Sequence, residues 1–367
     1  MPTTDSYGSV ATPRIYVDYV QYAKALGMIE DYNTADGITE DPSLAWDFNP
    51  SKMTSYTVTE QTDNIVFKVD FKLDNNQFKN LLSGMNYFMV LGLDSTQVTP
   101  GTSNISYLSF SDYSGGGVLQ FPELGGSNQL LVGVPVLENY LNYIDTLGYS
   151  VQIWDGFTFQ GNEDETSFES LSYSFSSDTD FYIGDVLKIG TFSAGKYFDF
   201  PYSPDLNVNI SVQFPGVKTK VTSGGSGLMQ MNYGRKKWGD LVPWTSIDVN
   251  EYPHQGNALV GENYTGVGNN SNRVFKINYS YVDKEDMFPK NFEGNIIGND
   301  DGNGLFDEDE SIFSSFMNFT LGGQIPFIIQ PDNTKQDFAI CKLDKPSHNI
   351  KQEANGVYSI SMTFREI

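Results

Sequence analysis

Histidine and cysteine are almost missing from this 367-residue chain: there are two histidines, His254 and His348, and one cysteine, Cys341. One cysteine allows no intrachain disulfide and no cysteine zinc cluster. Two histidines leave little for imidazole catalysis. His254 follows a proline and His348 follows Pro346-Ser347. Neither has the spacing of a ligand or base, so both read as surface residues. Positive charge is scarce too, with 22 Lys and Arg against 46 Asp and Glu, a net charge of −24. Neutralising phosphate needs a basic face, so no nucleic-acid partner is expected. No docking on an anionic membrane surface is expected either. No apolar run approaches the roughly 18 residues of a membrane-spanning helix. Met1–Gly8 has neither a basic flank nor an apolar stretch, so no secretory leader is expected. What remains is an acidic protein expected to be soluble and to fold in a reducing compartment, long enough for two domains and a large core.

Catalytic motifs are absent as well, and no enzyme is expected. Gly224-Gly225-Ser226-Gly227 is followed by Leu228 where a nucleophile elbow needs glycine, so it reads as a turn. There is no Walker loop and no H-E-x-x-H. Cys341, after Phe338-Ala339-Ile340, reads as a small buried hydrophobe in a strand. A carboxylate pair for glycoside hydrolysis is diagnosed only by its separation in space, and with 46 acids chance pairs are expected.

Aromatics, glycine and proline are plentiful: 14% aromatic residues, 35 Gly and 16 Pro. Aromatic strands joined by Gly/Asn/Ser turns fit this usage. Alternation of period two runs through Ile65–Leu73, Leu206–Phe214, Phe275–Tyr281 and Tyr358–Phe364, as in sheets wet on one face. Helical spacing occurs at Val17–Leu26 and at Ile312, Phe313, Phe316 and Met317, the second stopped by Gly322-Gly323. The expected fold class is therefore all-β with a few short helices. Residues 1–200 carry 8 basic and 26 acidic side chains, and residues 201–367 carry 14 and 20. With the turn-rich stretch Gly195–Pro204 near that shift, the expected domains are 1–195, a β-sandwich, and 196–367, a β-barrel or sandwich. Phe364-Arg365-Glu366-Ile367 continues the strand pattern, so deleting the last eight residues is expected to prevent folding.

Three local features invite functional readings. Asn299–Glu310 reads N-D-D-G-N-G-L-F-D-E-D-E, with oxygen ligands Asn299, Asp301, Asn303, Asp307 and Glu310, the Leu305 carbonyl, and Gly304 at the sharp turn. This is the spacing of an EF-hand calcium loop, so a structural calcium is the candidate cofactor. Asn replaces Asp at its first position, and Gly294–Gly298 before it reads as turn or strand rather than helix. The competing reading is an acidic insertion between a strand and a helix. Arg235-Lys236-Lys237, with Trp238 after it and Lys218 and Lys220 nearby, is the most positive stretch of an acidic chain. It reads either as a solvated loop or as a subunit contact against the acidic surface of the next copy. Trp154-Asp155-Gly156-Phe157, Trp238 and Trp244 suggest sugar stacking, although aromatics of a β-sandwich more often form core.

The C-terminal half carries a resemblance. Phe198–Asn207 leads to Gly216-Val217-Lys218-Thr219 and Tyr233-Gly234-Arg235-Lys236-Lys237-Trp238. Then come a strand from Arg273 to Tyr281, Asp283–Phe288, a helix, Gly322–Asp332, Phe338–Lys342 and the closing Val357–Glu366. This pattern, over roughly 196–367, resembles virion structural proteins of aquatic tailed bacteriophages. The order of parts is similar to minor tail-tip and distal-tail proteins: a basic "YGR"-type turn, a strand, a helix, a "GG…PF" segment and two closing strands. The resemblance implies a tail-hub β-barrel assembling into a ring of three or six copies that joins tail tube to tip. It implies other tail proteins as partners, location in the virion tail, and synthesis in the host bacterial cytoplasm. Residues 1–195 fall outside it. They leave an alternative open: a host-attachment or capsid decoration protein whose first domain binds a host glycan. The order also departs from the pattern, since an additional sandwich usually follows the barrel and the acidic loop 299–310 is extra.

Overall fold

The computed structural model describes residues 11–34, 37–49, 54–72, 85–94, 105–112, 146–153, 168–205, 209–213, 217–221, 227–231, 237–238, 272–288, 311–334, 338–345 and 349–367. In chain order its elements are β1 (Arg14–Asp18), α1 (Tyr19–Ala25), β2 (Ile29–Thr34), a 3-10 turn (Pro42–Trp46), β3 (Thr54–Thr57), β4 (Thr62–Phe71), β5 (Tyr87–Asp94), β6 (Ile105–Asp112), β7 (Thr146–Ile153), β8 (Phe168–Phe181), β9 (Val186–Asp199), β10 (Asn209–Gln213), β11 (Val217–Val221), β12 (Gly227–Met231), β13 (Lys237–Trp238), β14 (Asn272–Asp283), α2 (Lys284–Met287), α3 (Ile312–Phe319), β15 (Phe327–Gln330), β16 (Ala339–Leu343), β17 (Ile350–Ala354) and β18 (Val357–Glu366). The fold is all-β with a few short helices, as the composition predicts.

Twelve strands make one sheet, ordered β10-β14-β18-β16-β15-β1-β9-β5-β7-β13, with β17 beside β18 and β3 beside β9. A second sheet is β2-β4-β8-β6, and β11-β12 is a separate hairpin. The alternation in β4 is realised residue by residue: Ile65, Phe67, Val69 and Phe71 are buried, while Val66, Lys68 and Asp70 are half-buried. The four-stranded sheet packs its apolar face on β9 and β5. Tyr173 stacks on Phe88 at 4.5 Å between ring centroids, Phe67 meets Phe192 edge-on at 5.3 Å, and Trp46 meets Phe192 at 5.0 Å. Two inner faces interdigitating in this way form a β-sandwich core.

Helix α3 continues that core toward the C-terminal strands. Its Phe313, Phe316 and Phe319 recur at helical spacing and are all buried. Phe319 meets Tyr19 and Tyr22 of the α1 helix, Phe316 meets Phe327 of β15, and Phe313 meets Tyr279 of β14. The helix ends where predicted. Thr320 Oγ1 accepts from Gly323 N at 2.9 Å, and Gly322 and Gly323 lie at φ 69° and 79°. Gly323 is required twice over, because an added Cβ would lie 2.1 Å from Leu343 Cδ1.

Three details depart from the sequence reading. The helix expected from Val17 begins at Tyr19, because Arg14–Asp18 is strand and the Asp18 side chain caps the helix. Gly195 is not in a turn but inside β9, so position 195/196 falls within a strand. Its glycine answers a close approach: a Cβ there would sit 2.0 Å from the Val17 carbonyl oxygen. Finally, the alternation of β14 breaks after Tyr279. A register shift between Tyr279 and Val282 turns Tyr281 outward, 78% exposed, and buries Val282.

Candidate interaction surface

The first strand brings the two halves of the chain together. β1 pairs antiparallel with β9 on one side, Arg14↔Asp199 to Asp18↔Gly195, and with β15 on the other, Arg14↔Gln330 to Tyr16↔Ile328. Period two then sorts its residues. Ile15 and Val17 enter the main core, while Arg14, Tyr16 and Asp18 share the reverse face. That face carries a row of polar contacts. The Arg14 guanidinium donates Nε and Nη2 to the two oxygens of Asp199, each at 2.7 Å, and lies 4.2 Å from the Tyr197 ring centre. Asn333 Nδ2 adds a donor to Asp199 at 3.3 Å. The hydrogen bond to Asp199 holds the Arg14 guanidinium above its usual range. Tyr16 OH donates to Gln330 Oε1 at 2.7 Å, and burial pushes its phenol up to about 12.

Asp18 closes this row and is fully buried. Its Oδ1 accepts from Gln21 N at 2.7 Å and its Oδ2 from Ala194 N at 3.2 Å. Ser193 also hydrogen-bonds the carboxyl, and the Ser193 hydroxyl lies 2.9 Å from Tyr87 OH. Burial pushes the carboxyl up to about 6 despite these donors. The group sits among side chains with no solvent access, so its chemistry is positional: it caps α1 and fastens β1 to β9.

Two further polar clusters lie toward the C-terminus. Arg273 and Glu366 form a buried pair, with side chains 4% and 5% exposed. Glu366 Oε2 accepts from Arg273 N at 2.8 Å and from Nε at 3.3 Å, and Arg273 Nη2 donates to Phe338 O. The pair ties the start of β14 to the end of β18. At the surface, Tyr202 OH donates to Asp283 Oδ2 at 3.2 Å, and burial, then the charges of Asp286 and Asp283, push its phenol up to about 12. Desolvation raises the Asp286 carboxyl.

β17 flanks β18 on the side where β16 also pairs; among the described residues β18 is its one strand partner, and all five of its residues are exposed. Lys351 Nζ lies 3.0 and 2.9 Å from the Glu353 oxygens, and Ser359 Oγ donates to Glu353 at 2.8 Å. A turn at Asn355-Gly356, with Gly356 at φ 73°, joins β17 to β18.

The structure distributes the expected interface residues over separate elements. Lys218 and Lys220 lie on β11, opposite Gln230 and Leu228 of β12. Lys237 and Trp238 form β13, parallel to Thr146-Leu147 at the far end of the large sheet. Arg235 and Lys236 lie outside the described residues. So do all the candidate calcium ligands, Asn299, Asp301, Asn303, Leu305, Asp307 and Glu310, together with Trp154, Trp244, His254 and His348. Among the described residues no group of three His, Cys, Asp or Glu side chains is placed to hold a metal, and no helix is long and apolar enough to cross a membrane. Cys341 is the buried strand residue expected.

The reverse-face row and β17 escaped the sequence reading. The alternation Arg14-Ile15-Tyr16-Val17-Asp18 was the available signal for the first, but it merges with the helical spacing that follows. For β17 the signal was Asn355-Gly356, a turn dipeptide placed before the strongly alternating β18.

No family model matches the chain, and no curated protein matches it. Among solved structures it is similar to CBM32-1 from a family 31 glycoside hydrolase from Clostridium perfringens. The match has 14% identity, spans 46% of this chain and 96% of that module, and has a TM-score of 0.23. So slight a likeness has no bearing on function.

Proposed function

We propose that this protein is a structural component of a tailed-phage virion, a ring-forming distal-tail or tail-tip protein that links tail tube to tip. One observation supports the reading: the later strands of the C-terminal resemblance, from Arg273 onward, lie side by side in one sheet, while its earlier segments fall on β11 and β13, away from them. β14, β18, β16 and β15 are consecutive in the sheet, and α3 packs Phe316 against Phe327 of β15 and Phe364 of β18. Strand, helix and closing strands thus pack against one another, as an assembly module requires, and β17 flanks β18 in line with β16. Such a module works by presenting surfaces to neighbours, and its buried polar groups serve position rather than turnover. The alternative, a host-attachment or decoration protein with a glycan-binding first domain, rests on Trp154-Asp155-Gly156-Phe157 and Trp244, which lie outside the described residues, and on Trp238 of β13.

The test is the native mass of the purified chain, measured with calcium and again with a chelator, with negative-stain imaging of the particles. A closed ring of three or six copies is expected, and its collapse under chelation would assign the 299–310 loop a structural ion. A single-copy particle in both conditions that also adds no ring to purified tail tubes would overturn the proposal.

A further inference from the structure

We infer that the outer edge of β17 pairs antiparallel with β17 of a second copy, centred on Gln352, so that two copies share a continuous sheet across a twofold axis. The inference does not rest on the ring reading, since a twofold contact is isologous and generates no ring by itself. Three observations lead to it. First, the strand is paired on one side only among the described residues, and every residue in it is exposed. Up to Gln352, alternate residues turn their N–H and C=O groups outward, where they form a template for another strand; at Glu353 the register to β18 shifts by one residue, so the template is shortest on that side.

Second, the sequence Ile350-Lys351-Gln352-Glu353-Ala354 is complementary to itself when run antiparallel. With Gln352 facing Gln352, Lys351 of each copy lies opposite Glu353 of the other, and Ile350 lies opposite Ala354. Directly opposed residues share a face and interact, and opposite charges there are favourable. A lysine on an edge strand ordinarily blocks sheet-to-sheet pairing. Here this register places a carboxylate across from each lysine. Sliding the register by one residue would put Lys351 against Gln352 or Ala354 and lose both ion pairs. The chain carries a net charge of −24, which opposes general self-association and leaves local complementarity to select the contact.

Third, the two side chains are already held outward together. Lys351 and Glu353 are paired within the strand, and Ser359 of β18 anchors the carboxylate. A second copy therefore meets an ordered charge pair rather than two loose side chains, which lowers the cost of ordering them on association. Five residues span only about 17 Å of strand, so the contact is weak and reversible.

The test is sedimentation equilibrium of the full chain from about 1 μM to 1 mM. Wild type is expected to show a reversible dimer. Lys351→Glu puts a carboxylate opposite each Glu353, and Glu353→Lys puts an ammonium opposite each Lys351. Each variant alone should dimerise at least tenfold more weakly, with an unchanged thermal midpoint. An equimolar mixture of the two restores both charge pairs and should dimerise as wild type does. An independent reading comes from Gln352→Cys, whose thiols meet at the twofold and should form an intermolecular disulfide on mild oxidation. Ile350→Cys, displaced from its own copy, should not, and buried Cys341 does not compete. Monomeric wild type throughout, a dimer indifferent to both charge reversals, or equal cross-linking at 350 and 352 would each overturn the inference.

Discussion

Replacing Asp18 by asparagine tests the buried row along β1. Burial holds the folded carboxyl at about 6 against 3.8 for an exposed aspartate. The folded state therefore binds this proton more tightly than the unfolded state does. A raised carboxyl contributes stability that is complete below 3.8 and is lost as pH rises through about 6. At about 1.4 kcal/mol per unit of pKa, the loss from pH 4 to pH 7 is on the order of 3 kcal/mol. The amide of the Asp18→Asn variant cannot titrate, so that slope is missing from it. The variant has its own constant penalty, because an amide NH2 now faces one of the N–H donors of Gln21 or Ala194, a mismatch of about 1–3 kcal/mol. The informative quantity is thus the stability gap between the two proteins as a function of pH. Measured by urea unfolding, wild type should lead clearly near pH 4, and its lead should shrink by a few kcal/mol by pH 7. Most of the change should fall between pH 4 and 6. The other carboxylates titrate alike in both proteins and cancel in the difference. A gap that stays constant across this range, or widens toward neutrality, refutes the account of Asp18 as a carboxyl confined by burial.

Other expectations follow from single contacts. Gly195→Ala forces a methyl to within 2.0 Å of the Val17 carbonyl oxygen and 3.0 Å of Tyr19 N; backbone on that side cannot step back, so a loss of about 3 kcal/mol or more is expected in urea unfolding. Gly184→Ala meets nothing within 4 Å but sits at φ 95°, so it should cost only about 1 kcal/mol of strain. Arg273→Met leaves Glu366 buried without its guanidinium and should cost about 3–5 kcal/mol, with most of this recovered in the Arg273→Met/Glu366→Leu double variant. Deleting the last eight residues removes most of the β18 ladder to β14 and β16 and should abolish folding; a soluble, monodisperse truncation would defeat that expectation.

The strands legible in the sequence were those with one wet face. β4 and the second half of β18 alternate cleanly because one side meets the core and the other meets water. Short strands whose two faces are both buried, such as β15 with its four buried residues, show no alternation to read. β1 was hidden for a related reason. Its reverse face carries Arg14, Tyr16 and Asp18, which are satisfied by residues far away in the chain, at Asp199 and Gln330 among others. Only tertiary pairing makes those polar residues compatible with burial. The Tyr281 reversal has a local origin, a bulge, which composition does not announce. Gly195 shows the converse ambiguity: the sequence displays a glycine, and only the neighbouring strand shows whether it serves a turn or a close approach.

The strand order also bears on how the chain divides. A cut at 195/196 splits β9 just where Gly195 pairs with Asp18 on one side and Tyr87 on the other. Residues 1–195 would then keep β1 but lose four of its five partners on β9, Lys196 to Asp199, and all of those on β15. Residues 196–367 would keep β15 with one edge open, its Phe327–Ile329 register to β16 intact and its β1 side bare. The α3 helix would lose the Tyr19 and Tyr22 contacts of Phe319. Each fragment thus exposes a strand edge and an aromatic face that the other covers, a combination that favours aggregation over folding. Expressed separately, both should be insoluble or molten; expressed together, they should associate and recover near-native far-UV and aromatic circular dichroism. Two fragments that each unfold cooperatively on their own would show instead that the halves are independent and that β1 merely rests against its neighbours.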